Sequence, residues 1–286
     1  MSPKDDLLDS GLKHITDPAV RELILRGKQV RQLPLWPEPK RAAPNEIVRS
    51  ALFNIRNHRT KREYYTDVPV VVIGDGSITY RGEELRQDDL DVWLQLMHLA
   101  RAAKISPDDI KNDQPTVKIV PHSFCKAIGW PPTGHYYAKL ENIMGRLSAT
   151  ELIIKSSRLK ESVGVSMIRK KRIREDKDKT TRMSEWFIWL EPEIVTLFAG
   201  NYFSAIDWEI RKNLSALGKW LQAYYQSHSE PYPVKVETIM SGCGSSNARV
   251  RDFRELLEKA LKELYDSGFL KKWWLADGLV HVIRNK

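Results

Sequence analysis

The sequence predicts an α+β fold in which one supersecondary unit is used twice. Three observations predict it. Residues 244–268 carry Val250, Phe253, Leu257, Leu261 and Leu264 at steps of three and four, the period of an amphipathic helix. A short apolar strand at 234–236 and a short helix from Glu237 precede that stretch, while a strand at 269–275, the turn Ala276-Asp277-Gly278 and a strand at 279–283 follow it. The same order occurs earlier, with a strand at 116–120, a short helix at 122–128, a glycine-containing turn at 129–134 and a long helix to Ser148. Strand, helix, turn, long helix and hairpin make a winged helix-turn-helix, so the reading is two such domains in pseudo-repeat behind a flexible N-terminal arm. The expected segments are an arm at 1–45, a first domain at 46–190 and a second at 191–286.

The first 44 residues are charged and dotted with prolines, apart from one candidate helix at 18–28. Such composition buries little and is expected to stay mobile. Within it lies Gln32-Leu33-Pro34-Leu35-Trp36, which cannot continue a helix past Pro34. Its leucines and tryptophan suit an apolar groove on a partner, or else pin the arm to the chain's own domain. From Glu46 the composition becomes globular. Residues 68–73 and 77–80 flank Gly74-Asp75-Gly76, a hairpin signal. A buried helix follows at 90–103, and a loop at 106–115 leads into the first unit.

In that unit the long helix has a core stripe of Tyr137, Leu140, Met144 and Leu147, leaving His135, Lys139, Asn142 and Arg146 in one polar row. In the second unit Asn247, Arg251, Arg254 and Glu258 step by the same intervals of four, three and four. Ser245, Ser246 or Asn247 is expected to cap this helix and Gly268 to end it. The first unit's wing reads as three strands at 152–156, 163–174 and 183–190, with Lys170, Lys171 and Arg172 inside the densest basic run of the chain. Residues 208–227 supply a core helix to the second domain through Leu214, Leu217, Trp220, Leu221 and Tyr224, and the domain boundary is expected near 190–192.

Composition narrows the partner. Lys plus Arg number 46 against 37 Asp plus Glu, a net charge of +9. That excess favours a polyanion, nucleic acid first, and two polar rows, one of them beside a basic hairpin, give the phosphate contacts and base-edge contacts a place to come from. No apolar run reaches the roughly 20 residues of a spanning helix, so no membrane partner and a cytoplasmic location are expected. The only cysteines, Cys125 and Cys243, form no CxxC or zinc pattern and read as buried thiols. No phosphate-binding glycine loop with its lysine and no H-E-x-x-H occurs. A DNA-nicking centre would need histidines in an H-x-H pair beside a nucleophilic tyrosine; Tyr136 and Tyr137 adjoin His135, but no such pair exists. Asp88-Asp89 and Asp108-Asp109 precede helices and read as N-terminal caps. No catalytic residue, metal or cofactor is therefore expected.

Several segments, in order, resemble the TrfA-type initiators of bacterial plasmid replication. They are residues 49–53 with Arg56-Asn57, Tyr136-Tyr137 with residues 146–150, residues 197–200, residues 230–233, Arg249-Val250, Arg254-Glu255 and residues 278–281. The resemblance spans about residues 32–281. It implies tandem winged-helix domains that bind direct repeats, or iterons, in double-stranded plasmid origin DNA and help open the adjacent duplex. It further implies host DnaA and the replicative helicase as partners, an active monomer and a dimer that restrains copy number. It carries Arg249, Arg251 and Arg254 over as recognition-helix contacts. It also makes Gln32, Leu33, Leu35 and Trp36 a peptide for the sliding clamp of bacterial DNA polymerase III, with Trp36 where the family has phenylalanine. A transcriptional repressor using the same domains at an operator is the alternative from another class.

Overall fold

Two apolar cores form where the helical and alternating patterns are densest. The computed structural model describes residues 31–57, 59–101, 104–105, 115–159, 162–174, 185–191 and 193–285. In chain order the first elements are β1 (Arg31–Gln32), β2 (Lys40–Pro44), α1 (Asn45–Val48), β3 (Phe53–Asn54), β4 (Tyr64–Val70), β5 (Ser77–Glu83), β6 (Leu85–Arg86) and α2 (Gln87–Ala100). Next come β7 (Lys104–Ile105), β8 (Val117–Ile119), α3 (Pro121–Ala127), α4 (Gly134–Ser148), β9 (Glu151–Lys155), β10 (Val163–Val165), β11 (Lys170–Arg174) and β12 (Glu185–Trp189). The rest are α5 (Ile194–Leu197), β13 (Phe203–Asp207), α6 (Trp208–Lys212), α7 (Ala216–Gln226), β14 (Val234–Lys235), α8 (Val236–Gly242), α9 (Val250–Asp266), β15 (Leu270–Ala276) and β16 (Leu279–Arg284). The architecture is α+β.

The two units share one strand order. In the first, β8 pairs with β12 and β12 with β11; in the second, β14 pairs with β16 and β16 with β15, all antiparallel. Each sheet therefore runs first strand, last strand, middle strand, with a short and a long helix inserted after the first strand. The sequence assigned β9 and β10 to the first wing. They belong instead to a four-stranded sheet of order β10-β9-β5-β4, because the alternating Leu152 and Ile154 of β9 pair with Tyr80 and Ile78 of β5.

The arm expected at 1–45 is corrected from Leu33 onward. Leu33 and Trp36 are buried, and β2 lies in register with β13, Ala43 opposite Ser204 and Ala42 opposite Ala205. Two alanines give no alternating signal, and the partner strand lies far along the chain, so local pattern could not find this pairing. The candidate helix at 18–28 lies outside the described residues.

The expected boundary at 190–192 is likewise displaced. Ile194, Leu197, Phe198, Ile206 and Trp208 join the first core, while the second core is built from Leu214 onward together with Ile73, which reaches in from the loop before β5. Helix α7 serves both, with Ala223 in the first and Leu217, Trp220, Leu221 and Tyr224 in the second. Close approach of the two bodies needs a glycine: a Cβ on Gly242 would collide with the Ile73 side chain. Cys125 and Cys243 are both buried, as expected, and burial pushes the Cys243 thiol up to about 12. Among the described residues no helix is long and apolar enough to cross a membrane.

Candidate nucleic-acid interface

Helix α9 forms because Phe253, Leu257, Leu261 and Leu264 fall on one stripe, joined by Ala260, and all five are buried. Burying each of the larger side chains contributes about 1.5 to 3 kcal/mol. The helix starts at Val250, later than the stretch predicted, and Val250 itself is exposed rather than core. Ser245 and Asn247 organise the turn before the helix: the Asn247 amide donates to Ser245 Oγ at 3.2 Å and Ser245 Oγ donates to Asn247 Oδ1 at 3.0 Å. No side chain caps the helix itself, so its leading amides and positive dipole end remain available to an anion. Arg249, Arg251 and Arg254 are exposed around that end. Arg254 pairs with Glu258 one turn on, at 3.0 Å, while Arg249 and Arg251 have no carboxylate partner among the described residues.

Helix α4 carries the matching row, but two of its members are already engaged. The Arg146 guanidinium donates to Asp89 at 2.9 Å and Glu83 at 3.0 Å, and its side chain is only 11% exposed. Burial opposes its charge, yet Asp89 and Glu83 hold its pKa above the usual arginine value. Lys139 lies 3.0 Å from Asp88 and 4.4 Å above the Trp130 ring. Burial alone would raise the Asp88 carboxyl, but Lys139 and Arg62 hold it below its usual range. Lys139 and Arg146, expected to face DNA, are here held by carboxylates, because the N-terminus of α2 packs against this row. Asp89 does cap α2, accepting from the Arg86 amide at 2.7 Å, so the capping expectation holds there while missing the ion pairs. Asp108-Asp109 lies outside the described residues. His135 and Asn142 remain exposed on the same cavity, which Arg62, Glu83 and Asp88 also line.

The basic run divides by strand alternation. Lys171 points toward α4 and donates to the Glu141 carbonyl at 3.3 Å. Lys170 and Arg172 occupy the opposite face, Lys170 4.8 Å above Trp189 and Arg172 over Phe187 and Trp189 at 5.8 and 5.4 Å. The second hairpin repeats the motif, with Lys272 5.1 Å above Trp274 and Trp274 stacked on His281 at 4.8 Å. These cation–aromatic pairs went unread in the sequence, although Phe187 and Trp189 at alternate positions opposite a basic strand are their signal.

The residues expected to form a clamp peptide are placed as follows. Trp36 stacks on Phe198 at 5.8 Å and its indole N–H donates to His98 Nδ1 at 3.2 Å, while Leu33 is 2% exposed. Among residues 33–36 only Leu35 is exposed, and the backbone of Gln32 pairs with Lys104 in the β1–β7 ladder. Segment 33–36 pins the chain to its own core through Leu33 and Trp36.

A family model described as TrfA protein matches residues 9–284. The chain belongs to the TrfA family. It is 35% identical over 275 residues to the plasmid replication initiator protein TrfA of Escherichia coli, covering 96% of this chain and 68% of that relative. Crystal structures of domains 2 and 3 of RctB share the fold. One aligns with TM-score 0.55 at 14% identity over 85% of this chain and 98% of that one; the other with TM-score 0.53 at 16% identity over 84% and 97%. Much of what carries the family likeness is structural. Arg49 donates to Ser227 Oγ at 2.7 Å and to the Tyr202 hydroxyl at 3.1 Å, Leu197 and Phe198 are core, and Arg146 is the ion-paired residue above.

Proposed function

We propose that this chain is a plasmid replication initiator that binds repeated sequences in duplex origin DNA through tandem winged-helix domains. The observation that carries the reading is the N-terminal end of α9, where uncapped amides and three exposed arginines meet at the edge of a helix whose other face is core. A helix presented in this way suits a major groove, with Arg251 and Arg254 reaching base edges and Asn247 and Arg249 near the backbone. His135 and Asn142 of α4 are the corresponding contacts of the first unit, and Lys170, Lys171 and Arg172 flank them with positive charge for phosphates. Family membership favours the initiator over a repressor, and the opening of the origin, with host DnaA and helicase brought to it, extends the same proposal. So do a non-enzymatic mode of action and a dimer that restrains the active monomer.

The test is replication in trans. A plasmid carrying the cognate origin but lacking this gene is expected to be maintained only when the chain is supplied. A repressor would lower transcription beside its site and leave that plasmid unreplicated.

A further inference from the structure

The loop at residues 55–63, between β3 and β4, holds Arg56, Arg59, Lys61 and Arg62 within a few positions of one another. Surface loops of such composition are ordinarily mobile. This one is built. The buried guanidinium of Arg86 lies beneath it, Nη1 donating to the carbonyls of Asn57 and Thr60, and Nη2 to Thr60 Oγ1 at 3.2 Å and the Lys61 carbonyl at 3.3 Å. Glu84 balances that charge at 2.8 Å. Within the loop, Thr60 Oγ1 donates to the Asn57 carbonyl at 2.8 Å and the Arg59 amide donates to Asn57 Oδ1 at 2.9 Å. A buried arginine directed at backbone carbonyls fixes the path of the chain and leaves the outward side chains of the loop preorganised.

The four cations then separate into two kinds. Arg62 is taken up by Asp89 at 2.7 Å and Arg56 by Glu63 at 3.2 Å. Arg59 and Lys61 are exposed and have no carboxylate partner among the described residues. Their position is as informative as their freedom. At its start the loop is tied to the turn between α8 and α9, where the Ile55 amide donates to the Cys243 carbonyl at 3.1 Å. Gly244 of that turn, at φ +63°, leaves Asn54 Cβ only 2.7 Å from where its own Cβ would stand. At its end Arg62 lines the cavity shared with His135 and Asn142 of α4. The loop bridges the leading part of one candidate reading helix and the turn that introduces the other.

We propose that Arg59 and Lys61 grip the DNA phosphates midway between the two helix-turn-helix units. The proposal rests on the duplex-binding reading above and deepens it. Major grooves on one face of B-DNA recur about every 10 to 10.5 base pairs, with a minor groove and its two phosphate rows between them. Cations held over that interval meet phosphates and no major-groove base edge, so their contribution is independent of sequence and strongly dependent on salt.

The experiment uses the full chain and the duplex that the unaltered chain selects from a randomised library. Arg59→Ala with Lys61→Ala is expected to select the same sequence and keep its melting temperature. Its slope of log affinity against log salt should be shallower by about 1 to 2, on the basis of about 0.9 per phosphate contact. Hydroxyl-radical protection should be lost at the centre of the site and kept at its flanks. The charge-conserving Arg59→Lys with Lys61→Arg should restore the slope. An unchanged slope and intact central protection in the alanine variant would overturn the proposal while leaving duplex binding standing. Failure of the unaltered chain to select any duplex would overturn both.

Discussion

The two units have the same element order and the same four, three and four spacing of polar residues along or just before their long helices, yet the rows differ in availability. In α9 the row faces solvent, and its one ion pair, Arg254 with Glu258, lies between side chains that are 54% and 44% exposed. In α4 the row faces α2, and Arg146 and Lys139 pair with Asp89, Glu83 and Asp88. The difference is supplied by the neighbour, since α7 packs against the opposite side of α9 through Leu217, Leu221 and their surroundings. A helical row tells which residues share a face. What that face meets is a tertiary fact.

Stability gives the sharpest separation of the units. Arg146→Ala removes one of two arginine partners from Asp89, whose side chain is fully buried, and the partner of Glu83, and is expected to cost on the order of 3 kcal/mol. Thermal denaturation should register a fall of several degrees, at about 2 to 4 °C per kcal/mol for a chain of this size. Arg254→Ala, in the exposed row of α9, should stay within about 0.5 kcal/mol of the parent. Equal losses from the two substitutions would erase the distinction drawn here.

Binding should show the reverse order, with smaller energies. Arg251→Ala and Arg254→Ala are each expected to weaken the selected duplex by roughly 1 to 3 kcal/mol if they reach base edges in the major groove. Lys139→Ala, already paired with Asp88, should change affinity by less than about 1 kcal/mol. Titration at one fixed salt concentration compares them, and a larger loss from Lys139→Ala would mean that Lys139 reads DNA beside His135 and Asn142 despite its ion pair.

The parts of this fold that were legible are those set by local periodicity. Phe253, Leu257, Leu261 and Leu264 announced α9, and the repeated order of elements announced two like units. The parts that were not legible depend on residues distant in sequence. β2 has only Ala42 and Ala43 to show and is defined by β13, while α7 looks like a helix of one domain and packs on both. Trp36 reads as a peptide awaiting a partner because its neighbours are charged and prolyl; its actual receptor is Phe198 with His98. The candidate site was half legible for the same reason. The residue types and spacing of α4 were readable, whereas the carboxylates of α2 that quench them were visible only as helix caps.

Acid provides the gentlest test of the contrast, because the first core buries titratable groups that α9 lacks. His98 sits beneath the indole N–H of Trp36 and Nη1 of Arg41, both directed at Nδ1, with Glu38 at Nε2 and Arg101 bonded to the same glutamate. Burial holds the imidazole below its usual 6.5, Glu38 opposes that, and Arg41 and Arg101 add to it. The folded state therefore keeps His98 neutral in a range where the unfolded chain takes up a proton, so stability is lost as pH falls below about 6.5. Burial, with Arg49 and Arg284 adding to it and the Tyr224 carbonyl opposing, acts in the same direction on His228, which lies at the end of α7. Hydrogen exchange followed from neutral to mildly acidic pH should show β2 and the C-terminal half of α2 losing protection before α9 does. His98→Gln, whose amide oxygen can still accept from Trp36, should reduce that acid sensitivity. Simultaneous loss of protection in α9 and α2, unaltered by the substitution, would mean that the cores open as one body and that the burial of His98 does not set their order.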